Sequence, residues 1–282
     1  MKKILSLCLL LSSTLAFGQH KKNDQISLRD HIIEYQAAPI AISLSFPQLE
    51  SNVDELPDNL LTLISNVNRN ACTNIAKATL TDEDQTVDLN KLASSPAMLE
   101  FYVLSTANES LEEQANYIPQ EAWSYGLYSE WQAYANDYIV TISQTTYRFS
   151  GGSAHGMTYS TLNNYLKKSG EEFSFGDVIE QKDNFMKLVV KYFCRERKLS
   201  VDAPMIKTGL FMELANLPFP KEIGLGIAGL EVIYQPYEIA PYAAGVILVT
   251  IPYSTLEDIL PEEFFNISSA KGGKTIKGIS KN

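Results

Sequence analysis

From Ile40 the chain alternates, with apolar Ile40, Ile42, Leu44 and Phe46 separated by Ala41, Ser43 and Ser45, the period-two pattern of a strand with one buried face. Beyond Pro57 the period changes. Leu60, Leu61, Ile64, Val67, Ala71 and Ile75 recur at intervals of three and four, which predicts an amphipathic helix over residues 58–77. A second helix is expected over residues 97–117, against the strand-favouring run Phe101 to Val103.

Residues 122–175 read as β structure. Trp123 to Tyr134 and Tyr138 to Phe149 flank the turn residues Ala135-Asn136-Asp137. Met157 to Leu166 follows a glycine-rich stretch, and Ser169-Gly170 turns the chain into Glu171 to Phe175. Consecutive strands with short turns predict an antiparallel meander. Helical spacing returns at residues 184–197 through Phe185, Leu188, Val189, Tyr192 and Phe193. The closing unit is a strand at Leu230 to Tyr234, a loop at Tyr237 to Gly245, a strand at Val246 to Ile251 and a short helix from Ser254 to Leu260. Strands and helices come in runs without strict alternation, so the expected class is α+β: an antiparallel sheet with helices packed on one face and a small N-terminal α/β subdomain.

The ends of the chain add a compartment. Lys2 and Lys3, the apolar run Ile4 to Phe17 and the small-residue end Ala16-Phe17-Gly18 have the order of a secretory signal peptide. The mature chain is expected to begin near Gln19, in the periplasm or secreted. Later segments lack the roughly 18 uncharged apolar residues of a membrane span. The expected divisions are a signal peptide at 1–18, a polar, mobile segment at 19–38, a strand-helix subdomain at 39–120, a C-terminal domain at 121–265 and a basic disordered tail at 266–282.

The formal charge is -10. Removing Lys2 and Lys3 makes it -12. The stretch 267–282 holds four lysines and no acid, which leaves residues 19–266 at -16. An acidic exported body argues against nucleic acid and anionic lipid, which require basic patches, and suits a cationic partner; the same acidity also serves simple solubility.

Of three cysteines, Cys72 and Cys194 remain after export. Two alternatives stand. They pair, closing a long loop for roughly 4 to 5 kcal/mol in the chain-entropy model, or each is a small buried hydrophobe in its helix. Neither has a Cys-x-x-Cys partner or an adjacent His, so no redox or zinc motif is present. The acids of Thr81-Asp82-Glu83-Asp84 lack a calcium loop's alternation and closing glutamate, and read as a solvated turn.

Most catalytic motifs dissolve on inspection. Gly224-x-Gly226-x-x-Gly229 has the letters of a dinucleotide fingerprint, but prolines precede it and a strand follows, where the motif needs a strand before and a helix after. No cofactor is implied. Gly152-Ser153-Ala154-His155-Gly156 has the wrong spacing for a nucleophile elbow, and the other histidines, His20 and His31, lie near the terminus, so no serine triad is assembled.

What remains is His155, inside Tyr147-Arg148-Phe149-Ser150-Gly151-Gly152-Ser153-Ala154-His155-Gly156. Two readings stay open: a structural imidazole bonded to nearby carbonyls, or a ligand-facing side chain at the rim of the sheet, with Gly151, Gly152 and Gly156 permitting positive φ and close backbone approach. Tyr147, Tyr237, Glu238 and Tyr242 are candidate ligand contacts on the same rim, as amphipathic rings and an acceptor. Pro236 and Pro241 read as a rigid crossover between strands. A hydrolase alternative uses His155 as general base with Glu238, which requires the two within about 2.6–3.2 Å in a concave pocket.

Gly151-Gly152-Ser153-Ala154-His155-Gly156 and Pro236-Tyr237-Glu238-Ile239-Ala240-Pro241-Tyr242-Ala243-Ala244-Gly245 resemble the two signatures of an extracytoplasmic domain family. That family is shared by the anti-sigma factor RsiV, whose sensor region binds lysozyme, and by the peptidoglycan deacetylase PdaC, in a region beside its catalytic domain. The first signature carries Ser153 as one extra residue. The resemblance covers roughly Tyr138 to Leu260, and Ile40 to Asn74 resembles the smaller domain that precedes it. It implies an envelope-located, non-catalytic binding module whose partner is a peptidoglycan fragment or a cationic wall-directed protein such as lysozyme. It carries over neither transmembrane signalling nor deacetylation, because the segments that perform them do not resemble anything in this chain.

Overall fold

The computed structural model describes residues 25–80, 95–261 and 264. The leader at 1–18, the start of the polar segment, Thr81 to Asp84 and the 266–282 tail lie outside the described residues.

The alternating run forms strand β2 (Ile40–Ser51), with Ile42, Leu44 and Phe46 fully buried. It is preceded by β1 (Ile26–Ala37), which pairs antiparallel with it over twelve residues, so the mobile segment expected at 19–38 is corrected to a strand from Ile26. Its polar residues, which read as solvated chain, are cross-strand partners. Asp30 Oδ1 accepts from Ser45 Oγ at 2.6 Å and Trp131 Nε1 at 2.8 Å, and Arg29 pairs with Glu50 at 2.9 Å.

Helix α1 (Asp58–Thr79) buries Leu63, Val67, Ala71 and Ile75 along one stripe. Helix α2 (Pro96–Gln114) starts at Ser95, whose side chain accepts from the Met98 amide, and places Leu99, Val103 and Ala107 on its buried line. Val103 is fully buried. Each such side chain contributes about 1.5–3 kcal/mol, which outweighs the tenths of a kcal/mol of unfavourable helix propensity in the run around it.

The two helices return the chain to the same end of the sheet, so β3 (Tyr125–Ala135) pairs parallel to β2. Parallel neighbours need such a crossover. The meander follows as expected, through β4 (Ile139–Ser150), β5 (Met157–Leu166) and the short β6 (Glu172–Phe173), each antiparallel to the last. The result is one six-stranded sheet in the order β1 to β6, continuous across residue 120. Phe175 leaves the strand to open a short helix, α3 (Phe175–Val178).

Helix α4 (Lys182–Glu196) and the turn α5 (Met205–Thr208) lead to a three-stranded antiparallel sheet of β7 (Glu222–Leu225), β8 (Gly229–Tyr234) and β9 (Ile247–Pro252). The glycine fingerprint is the β7–β8 hairpin, with Leu225 opposite Leu230. Leu230, Val232, Tyr234, Val249 and Ile251 face α4 in one core with Phe185, Val189 and Phe193. The expected helix at 254–260 is a 3-10 turn over Tyr253–Thr255 followed by turns.

Polarity on both faces of the large sheet now has a reason. Gln144 and Asn163 face α1, where the Asn74 amide donates to Gln144, Thr161 and Asn163. The other face meets the small sheet. There β5 is mostly an open edge, and side chains stand in for a neighbouring strand. Glu222 Oε2 accepts from the Leu162 amide at 2.7 Å, and the Gln235 side chain donates to Ser160 O at 2.6 Å and accepts from Ser160 N at 3.1 Å.

Cys72 and Cys194 are both buried and unpaired, in separate hydrophobic cores under α1 and α4. Of the two alternatives, the structure has the small buried hydrophobe. Burial pushes the Cys72 thiol up to about 12, which makes it chemically inert.

Candidate functional site

The loop between β4 and β5 and the loop between β8 and β9 meet in space. His155, just before β5, stacks on Tyr242, with ring centroids 3.6 Å apart and planes inclined by 12°. Its Nδ1 lies 2.9 Å from Gly156 O, and its Nε2 lies 3.0 Å from the Tyr237 hydroxyl. A carbonyl only accepts, so Nδ1 carries the proton and Nε2 accepts from Tyr237 in the neutral ring. Both nitrogens are therefore engaged, and the ring latches one loop to the other.

Local sequence explains the latch. Gln235, Pro236, Tyr237 and Glu238 form a tight turn closed by the Glu238 amide on Gln235 O at 3.1 Å. Proline suits the second turn position and a residue with positive φ the third. Here the third is Tyr237, at φ 69°. That conformation disfavours a side-chain-bearing residue by about 1–3 kcal/mol, and it directs the ring toward His155. Gly245 closes the loop at φ 67° and ψ -160°, a region open essentially to glycine alone. Between them the loop leaves Tyr237 half exposed.

Of the other expected site residues, Tyr147 lies beside Gly156, next to His155 in the chain. A Cβ at position 156 would come within 2.3 Å of the Tyr147 ring, so glycine there leaves the ring room. Tyr147 in turn stands 6.3 Å from the exposed ring of Tyr128. Gly151 and Gly152 turn away. A Cβ on Gly151 would strike Gln114 and the Ala122 carbonyl, and Gly152, with φ 82°, neighbours Ile118, so this pair seats the chain beside the α2–β3 connection. Only Gly152 of the three glycines has positive φ.

Glu238 spends its carboxylate on the Gln235 amide at 2.8 Å. Among the described residues no carboxylate bonds to His155, so the His155–Glu238 pair that a general base would need is not assembled.

Beside this rim, between the two sheets, lies a groove of about 510 Å³. Glu130, Ser143, Thr145 and Ser160 line it from the large sheet, with Glu231 and Leu248 from the small one. Thr158, another lining residue, pairs across the sheet with Tyr147, and Val246 follows directly on Gly245, so rim and groove adjoin. Burial pushes the Glu231 carboxyl up to about 7. Glu222, further along the same seam, is also raised by burial, against the lowering effect of the Leu162 amide.

The sequence reading missed the groove. Its residues sit in ordinary strand alternation, and only the excess of hydroxyl and amide side chains on both faces of β4 and β5 marks them.

The architecture is that of an α+β domain with a loop-built rim. Residues 175–254 match the model of a family described as "Protein of unknown function (DUF3298)". The match contains the Tyr237 to Gly245 loop and stops short of the His155 loop. Two solved structures of DUF3298 family members share the fold. One, from Bacteroides fragilis NCTC 9343, is 16% identical, with a TM-score of 0.57 and coverage of 84% of this chain and 94% of that one. The other, from Pseudomonas aeruginosa PAO1, is 19% identical, with a TM-score of 0.56 and coverage of 86% and 97%. At these identities the likeness is one of fold. No curated protein matches the chain.

Proposed function

We propose that this chain is an exported, non-catalytic binding module of the bacterial cell envelope, and that it recognises a peptidoglycan fragment or a wall-directed protein such as lysozyme. The observation that carries the reading is the meeting of His155 with Tyr237 and Tyr242, two loops remote in sequence joined by a ring stack beside an open groove. Tyrosine rings offer large amphipathic contact area at low entropic cost, which suits a recognition surface. An imidazole with both nitrogens engaged suits a positioning role better than proton abstraction. The apolar leader supports export, the likeness of both loops to the RsiV and PdaC signatures supports the envelope, and the acidic body supports a cationic partner.

The test is a binding titration of the chain from Gln19 against lysozymes and soluble muropeptides. The reading predicts saturable binding to one of these classes, weakened at least tenfold in Tyr242→Ala with the melting transition retained. Absence of binding to both classes overturns it.

A further inference from the structure

The groove itself has a ligand chemistry. Two carboxylates, Glu130 and Glu231, enter it from opposite sheets, and among the described residues its lining holds no Lys, Arg or His. Ser143, Thr145 and Ser160 add hydroxyl oxygens on the large-sheet side, while Ile233, Val246 and Leu248 make an apolar wall. Its volume of about 510 Å³ lies within the roughly 300–1,000 Å³ usual for sites that take a small ligand or an inserted side chain.

Glu231 is the unusual member. It is half-buried, yet among the described residues no donor hydrogen-bonds or ion-pairs with it. The two hydroxyls that feel its charge are committed elsewhere. Tyr134 donates to Gln132, while Tyr253 donates to Gly226 O at 2.7 Å and accepts from Gly226 N at 3.1 Å. Gly226 itself leaves the space beside the carboxylate, since a Cβ there would come within 2.4 Å of it. A carboxylate held in this way is costly unless a partner arrives from outside.

We infer that the groove is a receptor for an aliphatic cation, the ammonium or guanidinium of a basic side chain on a partner protein, with Glu231 as its counter-charge and Glu130 as a second acceptor. The apolar wall takes the methylene stem, the hydroxyl oxygens take the remaining donor protons, and the net charge of -10 on the whole chain attracts such a partner over distance. The inference deepens the binding-module reading by naming what enters beside the rim.

Occupancy then depends on pH. Among the described residues, the titratable groups facing Glu231 are Glu130 and Tyr134 on β3 and Tyr253 after β9. Burial raises both tyrosines, so they stay neutral through the range that matters. With Glu231 at about 7, its charged fraction rises from about a tenth at pH 6 to about nine-tenths at pH 8.

The experiment is calorimetric titration of the chain from Gln19 with N-acetyl-arginine amide and N-acetyl-lysine amide. Neutral N-acetyl-citrulline amide and chitotriose serve as controls. The inference predicts saturable binding of at least one cation at pH 8, about tenfold weaker at pH 6 and at least tenfold weaker in Glu231→Gln. A smaller loss, about threefold, is expected in Glu130→Gln, with no binding of citrulline amide. Glu231→Gln should melt no lower than the parent, so lost binding is not lost folding. Equal affinity for citrulline amide, indifference to Glu231→Gln, Glu231-dependent binding of chitotriose alone, or no saturable binding of either cation at pH 8 would overturn it. If the cations fail while lysozyme or muropeptide binding still needs Tyr242, only the groove inference falls.

Discussion

Gly224 and Glu231 face each other across the β7–β8 ladder, and their surroundings could hardly differ more. On the Gly224 side the two sheets touch. A Cβ there would come within 2.6 Å of Thr141 and 3.1 Å of Asn164, the Asn164 amide donates to Ile223 O at 2.7 Å, and Thr141 accepts from the Leu225 amide at 3.0 Å. The side chains of Thr141 and Asn164 at that contact are hydrogen-bonded, as is the half-buried carboxylate of Glu222. One strand away the sheets part, and Glu231 faces the groove with no hydrogen bond to it among the described residues. Two half-buried glutamates on one small sheet thus have opposite meanings. The satisfied one holds the fold together, and the unsatisfied one waits for something to bind.

The largest expected effect comes from prying the closed side open. Gly224→Val puts branched carbons where Thr141 and Asn164 already lie, and should cost about 3 kcal/mol in urea unfolding. An unchanged midpoint would mean that the sheets are not packed there as described. Asn164→Ala removes the donor to Ile223 O and the acceptor of the Thr141 hydroxyl at 2.7 Å, and should cost about 2 kcal/mol by the same measurement.

On the open side the effects are smaller. His155→Ala removes the ring stack and the Tyr237 contact from a half-exposed position, so about 1 kcal/mol of stability should be lost while the fold survives. A loss of more than about 3 kcal/mol would move His155 from the rim to the structural core.

Glu231→Gln should stabilise. A carboxyl at about 7 in the folded chain, against an ordinary value of 4.5, makes a contribution to stability that is full below 4.5 and is lost as pH rises from there through about 7. Glutamine lacks this dependence. The variant should therefore gain on the parent as pH rises from 5 to 8, by under about 1 kcal/mol given solvent screening, in paired thermal melts. A parent that grows more stable than the variant over that range would contradict the unpartnered carboxylate.

The same contrast accounts for what could be read from the sequence. The closed parts announce themselves through periodicity, as in Ile40 to Phe46 and the α1 stripe, because one buried face imposes a repeat. The α+β class followed from the order of those runs. Strand β1 did not announce itself, because as an edge its order comes from backbone pairing and from partners such as Asp30 with Ser45 and Trp131. The parallel β2–β3 pair depends on where two helices return the chain, which no local pattern states.

The rim was partly legible. His155, Tyr237 and Tyr242 stood out as aromatic and imidazole residues among glycines and prolines, and the structure brings them together. Gly151 stood out equally, yet its small size serves the packing of Gln114. The groove was invisible, because Glu130 and Glu231 lie a hundred residues apart on strands whose separation is a tertiary outcome.

The central claim is that recognition happens on the open side, where rim and groove adjoin. The most direct measurement is amide and aromatic chemical-shift mapping of the labelled chain from Gln19 during titration with lysozyme or muropeptide. The account predicts that the shifted residues cluster at Tyr147, His155, Tyr237 to Gly245 and Glu231, with Gly224 and Asn164 unmoved. Shifts centred on the α1–α2 face, with the rim and groove silent, would contradict it.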